Sequence, residues 1–320
     1  MPAHIHNYQV DFHHDITPSA LRLSDRRLKA QLDMPYRDCG PYTDVLDATH
    51  NLNCQKAVVK VFRIGKLSPH HRHVLTKRLE NVLAEWKKHH THPNISRVTG
   101  MVLGFWDLPG IEMPLYSNGN ASNYLKALPN VDKHRLICGI AEGLNHLHSQ
   151  QPPIIHGMVC ATNILISDSG APLLTDIGLG TIPLEAVGVS PFQGDKYSRH
   201  LQKVRWLAPE IIDPENVGPP DISTSLNDCT PSTDVYSFGM TILELFTEKV
   251  PYHHVRSTPA VINEINNRRH PGRLYCTEVP DELWCILESC WSHNAKERPT
   301  TAVLRSRIGA LGIHGSGRRA

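Results

Sequence analysis

Ile154-Ile155-His156-Gly157-Met158-Val159-Cys160-Ala161-Thr162-Asn163-Ile164-Leu165-Ile166-Ser167-Asp168-Ser169-Gly170-Ala171-Pro172-Leu173-Leu174-Thr175-Asp176-Ile177-Gly178-Leu179-Gly180 is the stretch whose reading decides the fold. It reads as a loop, a hairpin and a second loop. Ile164, Leu165 and Ile166 form a short apolar run, Asp168, Ser169 and Gly170 are turn formers, and a second run starting at Leu173 and Leu174 stops at Asp176. Such a hairpin holds Asn163 just before its first strand and Asp176 just after its second. Two oxygen ligands arriving at one end of a hairpin suit a hard cation such as Mg²⁺.

Working outward, the chain of 320 residues has ample material for a buried core and for two lobes. A formal charge of +2 sets up no strong field for nucleic acid or a membrane surface. The eight cysteines contain no Cys-x-x-Cys pair and read as reduced thiols. The 21 histidines cluster at 70–73, 89–92 and 253–254 without the partners and fixed spacing of a zinc site, so they read as a solvated polar face. No apolar run reaches the length of a membrane span, and the N-terminus lacks the form of a signal peptide. The expectation is a soluble, cytoplasmic protein with neither nucleic acid nor membrane as a partner; the totals name no other.

Upstream, Thr17 to Leu32 reads as a helix with Pro18 at its first position, within an N-terminal extension spanning 1–33. Residues 34–61 turn extended and fit three antiparallel strands, with a polar turn at Asn51 to Asn53. Leu75 to His90 is amphipathic through Leu79, Val82, Leu83 and Trp86. Met101 to Trp106 and Ile111 to Leu115 read as a hairpin turned at Leu108-Pro109-Gly110. Helices follow at Ser122 to Leu128 and at Asp132 to Ser149, the latter with Leu136, Ile140, Leu144 and Leu147 as its stripe.

Downstream, Thr181 to Leu201 has no consistent period and reads as a mobile segment, with Ser190, Tyr197 and Ser198 as modifiable hydroxyls. Val204-Arg205-Trp206-Leu207-Ala208-Pro209-Glu210 precedes a Pro/Asp/Ser-rich loop from Asp213 to Ser232. Thr233 to Met240 then opens a strongly apolar helix that Asp234 is expected to cap. Residues 312–320 form a small basic tail, expected to be disordered.

Taken in order, these motifs resemble the protein-kinase family. Its members carry a His-Arg-Asp catalytic loop ending in Asn, then Asp-Phe-Gly, then Ala-Pro-Glu. Here the loop runs His156 to Asn163, the second motif is Asp176-Ile177-Gly178, and the third is Ala208-Pro209-Glu210. Ala57-Val58-Val59-Lys60 resembles the family's Val-Ala-Ile-Lys strand, and the Cys290-Trp291 pair resembles the tyrosine-kinase-like branch. The resemblance implies an α+β bilobal fold over 34–311, with a β-rich N-lobe at about 34–115, one regulatory helix, and a mainly helical C-lobe at about 119–311. It implies ATP and Mg²⁺ as ligands, with Gly40, Val45, Lys60, Met113, Leu115, Asn163 and Asp176 lining the nucleotide and Asn163 and Asp176 on the metal. It further implies that Asp234 ties down the catalytic loop and that Glu210 pairs with Arg298.

The departures matter as much as the matches. Aligned on Val45, the family's three loop glycines fall on Asp38, Gly40 and Thr43, so one survives. The glutamate that should pair with Lys60 belongs near Leu83; Glu80 and Glu85 lie almost a turn to either side, and both stay open, Glu80 first. The catalytic Asp position holds Met158 and the lysine two residues on is Cys160. A thioether accepts no proton, so the loop lacks both base and cation. The resemblance so modified implies a pseudokinase acting as a binding or regulatory module in signalling; the alternative is an active Ser/Thr or Tyr kinase with an unorthodox loop.

Overall fold

The computed structural model describes residues 28–30, 38–39, 43–50, 54–62, 67–105, 108–128, 130–182, 201–212 and 229–311. Gly40, the turn at Asn51 to Asn53, Ser190, Tyr197, Ser198, the loop over 213–228 and the tail from 312 lie outside the described residues. The described chain divides into two compact units. One comprises the residues up to His90 together with Arg97–Leu115; the other comprises Thr91–Ser96 and the chain from Tyr116 onward.

The first unit is an antiparallel sheet with one helix. Its strands are β1 (Leu28–Ala30), β2 (Asp38–Cys39), β3 (Thr43–His50), β4 (Lys56–Phe62), β5 (Gly100–Phe105) and β6 (Leu108–Pro114), in spatial order β1-β3-β4-β6-β5 with β2 also on β3. Side chains of a strand alternate between faces. Ala57, Val59 and Val61 therefore project together, and with Leu46, Ala48 and Val102 they form the sheet's buried cluster. The helix α1 (Pro69–His89) buries Leu75, Leu79, Leu83 and Trp86 completely or nearly so. It begins six residues before the apolar stripe, because Ser68 accepts the His71 N–H at 3.2 Å and Pro69 fits the first turn.

Two expectations fail in this unit. Leu28–Ala30 is a strand, where a helix over Thr17 to Leu32 was expected; it pairs with Ala48–His50 and gives hydrogen-bond partners to the open edge of β3. Leu108-Pro109-Gly110 begins β6, not the turn. Phe105 pairs directly with Leu108, and the ladder shifts register between Val102 and Phe105. A proline and a glycine suggest a turn from sequence alone, but both are also tolerated beside such an irregularity.

The second unit is mostly helical: α2 (Ala121–Ala127), α3 (Lys133–His148), α4 (Pro209–Ile212), α5 (Pro231–Thr247), α6 (Thr258–Asn266), α7 (Asp281–Cys290) and α8 (Thr301–Ala310), with a two-stranded hairpin of β7 (Ile164–Ile166) and β8 (Pro172–Leu174). Asn120 and Asp132 cap α2 and α3, each accepting a backbone N–H at 2.9 Å. The stripe Leu136, Ile140, Leu144 and Leu147 is buried as expected. α3 lies close under the hairpin: a Cβ on Gly139 would stand 2.6 Å from Pro172 Cγ, and one on Gly143 3.0 Å from Leu174 Cδ1. α5 is buried along its length. It starts at Pro231 and is capped by Thr230, so Asp234 sits inside its first turn and is not the cap. Among the described residues no helix is long and apolar enough to cross a membrane.

Candidate active site

The hairpin sets the geometry. Ile164 faces Leu174 across the ladder, and Thr175 N–H donates to Asn163 O at 3.1 Å, so Asn163 and Asp176 emerge at the same end. Asp168, in the connecting turn, is exposed. Asp176 is buried at 7% exposure and takes the left-handed backbone region with φ 63°. Gly178 N–H returns to His156 O at 3.1 Å, which fastens the second loop to the first.

The catalytic-type loop is held from below by one face of α5. Asp234 accepts the His156 N–H at 2.7 Å, the Gly157 N–H at 2.8 Å and His148 Nε2 at 3.0 Å. Two turns further along, the Thr241 hydroxyl donates to Val159 O at 3.1 Å, and Glu244 Oε2 accepts the Ala161 N–H at 3.1 Å and Trp206 Nε1 at 3.0 Å. The Ser237 hydroxyl donates to Trp206 O at 2.7 Å. Positions 234, 237, 241 and 244 step by three or four residues and so share one face of the helix. Burial raises the Glu244 carboxyl pKa to about 7, against the opposing hydrogen bond from Ala161 and the charge of Lys203. His156 is fully buried, and burial lowers its pKa although the charges of Asp234 and Asp176 oppose that; its Nδ1 faces the Met158 N–H at 3.4 Å.

Within this frame the departures are fixed in place. The Asn163 amide nitrogen donates to Met158 O at 3.0 Å, which sets the backbone on which the thioether stands. Gly157, at the family's arginine position, has φ 80°, and its carbonyl oxygen would lie 2.4 Å from a Cβ on Gly180. Two glycines thus let the loops touch backbone to backbone; a side chain at Gly180 has no room, and one at Gly157 would be strained. Cys160 is buried, and Lys203 Nζ donates both to its Sγ and to Thr162 Oγ1, each at 2.8 Å. For Lys203, burial works against the charge, but Cys160, Glu244 and Asp176 outweigh it and raise the pKa, so the ammonium stays charged.

Further out, Arg298 meets Glu210 through two parallel bonds, Nη1 to Oε1 at 2.6 Å and Nη2 to Oε2 at 2.8 Å. The Glu210–Arg298 pair and the tie from Asp234 are where the sequence placed them. Lys203, Thr241 and Glu244 were not foreseen. The polar residues at three- and four-residue steps in an otherwise apolar helix were a readable signal for Thr241 and Glu244; Lys203, between a segment without periodicity and Trp206, offered none.

The remaining expected residues belong to the first unit. Val45 faces Lys60, Lys60 faces Ile111 and Val58 faces Met113 in the ladders, so Val45, Lys60 and Met113 share one face of the sheet. Met113 is buried, Val45 and Lys60 are half-buried, and Leu115 follows the end of β6. Glu80 is buried on α1, at 9% exposure. Glu85 is half-exposed and held locally by Lys88 at 2.5 Å and His89 at 3.4 Å.

The family model for protein tyrosine and serine/threonine kinases matches residues 38–308. Among curated proteins, the chain is 28% identical over 177 residues to a probable serine/threonine-protein kinase of Dictyostelium discoideum, covering 55% of this chain and 17% of that one. It is also 28% identical over 203 residues to the mouse tyrosine-protein kinase Srms, covering 62% of this chain and 36% of the relative. The chain therefore spans roughly a third or less of the length of these relatives.

Proposed function

The chain belongs to the protein tyrosine and serine/threonine kinase family, and from that premise we propose that it is a pseudokinase: a kinase-fold module that holds Mg-ATP and works by binding a protein partner. The observation that carries this reading is Met158, seated at the base position on a loop otherwise held in full by Asp234, Thr241, Glu244 and Asn163. The frame is kept and the proton acceptor is gone. Loss of a general base costs about 10²- to 10⁴-fold in rate.

Asn163 and Asp176 offer an amide oxygen and a carboxylate, the hard donors that Mg²⁺ takes, and their shared end of the hairpin fits that use. Lys60, with Val45 and Met113 on the same sheet face, is assigned to the nucleotide, and the buried Glu80 is assigned to Lys60 in preference to Glu85. When bound, the metal would neutralise charge on the phosphates. Gly40, Leu115, the extension over 1–33, a cytoplasmic location and a signalling role complete the proposal on the strength of the family resemblance.

The test pairs a melting measurement with an assay. Millimolar Mg-ATP should raise the melting temperature, and Asp176→Ala or Lys60→Ala should abolish the rise; at 100 times the dissociation constant the stabilisation is about 2.7 kcal/mol. Radiolabelled phosphate transfer should be absent at ordinary turnover. Normal turnover that vanishes in Asp176→Ala would overturn the reading.

A further inference from the structure

Cys160 occupies the position of a catalytic-loop lysine, which on sequence alone leaves the loop without a cation. The fold does not leave it without one. Lys203 arrives from the other direction along the chain, 43 residues on, and bonds Cys160 Sγ and Thr162 Oγ1 at 2.8 Å each. Trp206 lies under the ammonium at 5.8 Å. The carboxylates of Asp176 and Glu244 act on it as well. Thr162 is exposed and Lys203 half-buried, so the ammonium, enclosed on the side of Cys160, lies beside an exposed residue of the loop.

We propose that Lys203 supplies the phosphoryl-facing cation of this site in place of the lysine missing at Cys160, so that the loop lacks only its base. This rests on the pseudokinase reading above and sharpens it: the site keeps the electrostatics for the terminal phosphate of ATP and lacks the proton acceptor alone. An ammonium has three N–H donors, and two are engaged by Sγ and Oγ1, so a phosphate oxygen can take the third. A cation placed there stabilises charge on a transferring phosphoryl group as a lysine at position 160 would. The consequence runs against simple repair of the loop. Restoring Asp at 158 should be sufficient, and also adding Lys at 160 should do harm, because it brings two ammoniums to one place.

The test uses the full chain and four variants built on Met158→Asp: that change alone, with Cys160→Lys, with Lys203→Cys, and with both, the last exchanging the two side chains at constant composition. The reaction read is ADP formation from Mg-ATP. A hydroxyl oxygen of water or of a protein side chain bonds to the γ-phosphorus as the bond to the bridging oxygen breaks. ADP leaves with that electron pair, and the hydroxyl proton passes to the carboxylate that the substitution supplies. Met158→Asp alone should raise turnover about 10²-fold over the natural chain. Adding Lys203→Cys or Cys160→Lys singly should remove at least about tenfold of that gain, and the exchange should restore it to within a few-fold. Turnover unchanged by Lys203→Cys overturns the proposal.

If neither Met158→Asp nor the exchange turns over ATP while Mg-ATP still raises the melting temperature, the proposal is overturned; if that rise is absent too, the nucleotide-holding reading has failed, and the melting temperatures of the variants still decide the place of Lys203. Without the change at 158, Cys160→Lys should lower the melting temperature by at least about 3 °C more than Cys160→Met, which is one atom shorter and uncharged, and Lys203→Cys should recover most of that difference. Additive effects of Cys160→Lys and Lys203→Cys overturn the proposal whatever the activity.

Discussion

Glu244 is a carboxyl enclosed by an otherwise apolar helix and two hydrogen-bond donors, and its titration should be visible in the stability of the whole unit. Burial raises its pKa from 4.5 to about 7, with Lys203 and Lys126 the cations acting on it. The folded chain therefore binds more protons than the unfolded one between about pH 4.5 and pH 7, and stability falls as the pH rises through that window. A difference of that size corresponds to an upper bound of roughly 3 kcal/mol. Glu244→Gln keeps an oxygen for Ala161 N–H and Trp206 Nε1 and removes the titration. Urea unfolding at pH 5 and at pH 8 should then show a smaller loss of stability in the variant than in the natural chain. An equal loss in both would place the pH dependence elsewhere. His156, on the loop that Glu244 holds, has its pKa lowered by burial, and it stays in both proteins.

At the scale of elements, α5 serves as a platform as well as a core helix. Its apolar residues were legible as a run, and Asp234, Ser237, Thr241 and Glu244 interrupt that run at three- and four-residue steps, but what their face holds emerges only when the loop is in view. The same holds for its start. Asp234 looked like a cap because carboxylates suit a first turn. Thr230 and Thr233 form the capping box instead, which leaves the Asp234 carboxylate for the loop. Asp234→Ala would strand the N–H groups of His156 and Gly157 in a buried setting and should cost roughly 3–5 kcal/mol, read as a large fall in the denaturant midpoint. Asp234→Asn keeps one acceptor and points an amide N–H₂ at the other donor, so about half that cost is expected. A neutral result for alanine would mean that the loop is held by Thr241 and Glu244 without it.

Across the whole molecule, what the sequence disclosed and what it concealed divide by the distance over which the determining contact acts. The hairpin, the stripe of α3 and the run of α5 follow from local periodicity. Asn163, Asp176, Glu210 and Arg298 were legible because they stand in family order. Lys203 and the edge strand at Leu28–Ala30 were not, since each is specified by a partner, Cys160 in one case and Ala48–His50 in the other, that no local pattern announces. Arg298 with Glu210 is the contact of longest reach whose partners were both named in advance, joining residues 88 apart. The Arg298 side chain is fully enclosed and that of Glu210 is 13% exposed, so the pair is desolvated as well as bidentate. Nη1 also donates to Ser232 O at 3.0 Å and Nε to Ser292 O at 2.9 Å, and the former ties the same guanidinium to the first turn of α5. Removing one charge leaves the other buried alone, a loss of about 3–5 kcal/mol. Arg298→Met and Glu210→Gln should each destabilise on that scale, whereas the double variant, with no charge stranded, should cost clearly less than the sum. A double-mutant cycle in urea measures the difference; a cycle that closes additively would show that the fork contributes nothing beyond its separate contacts.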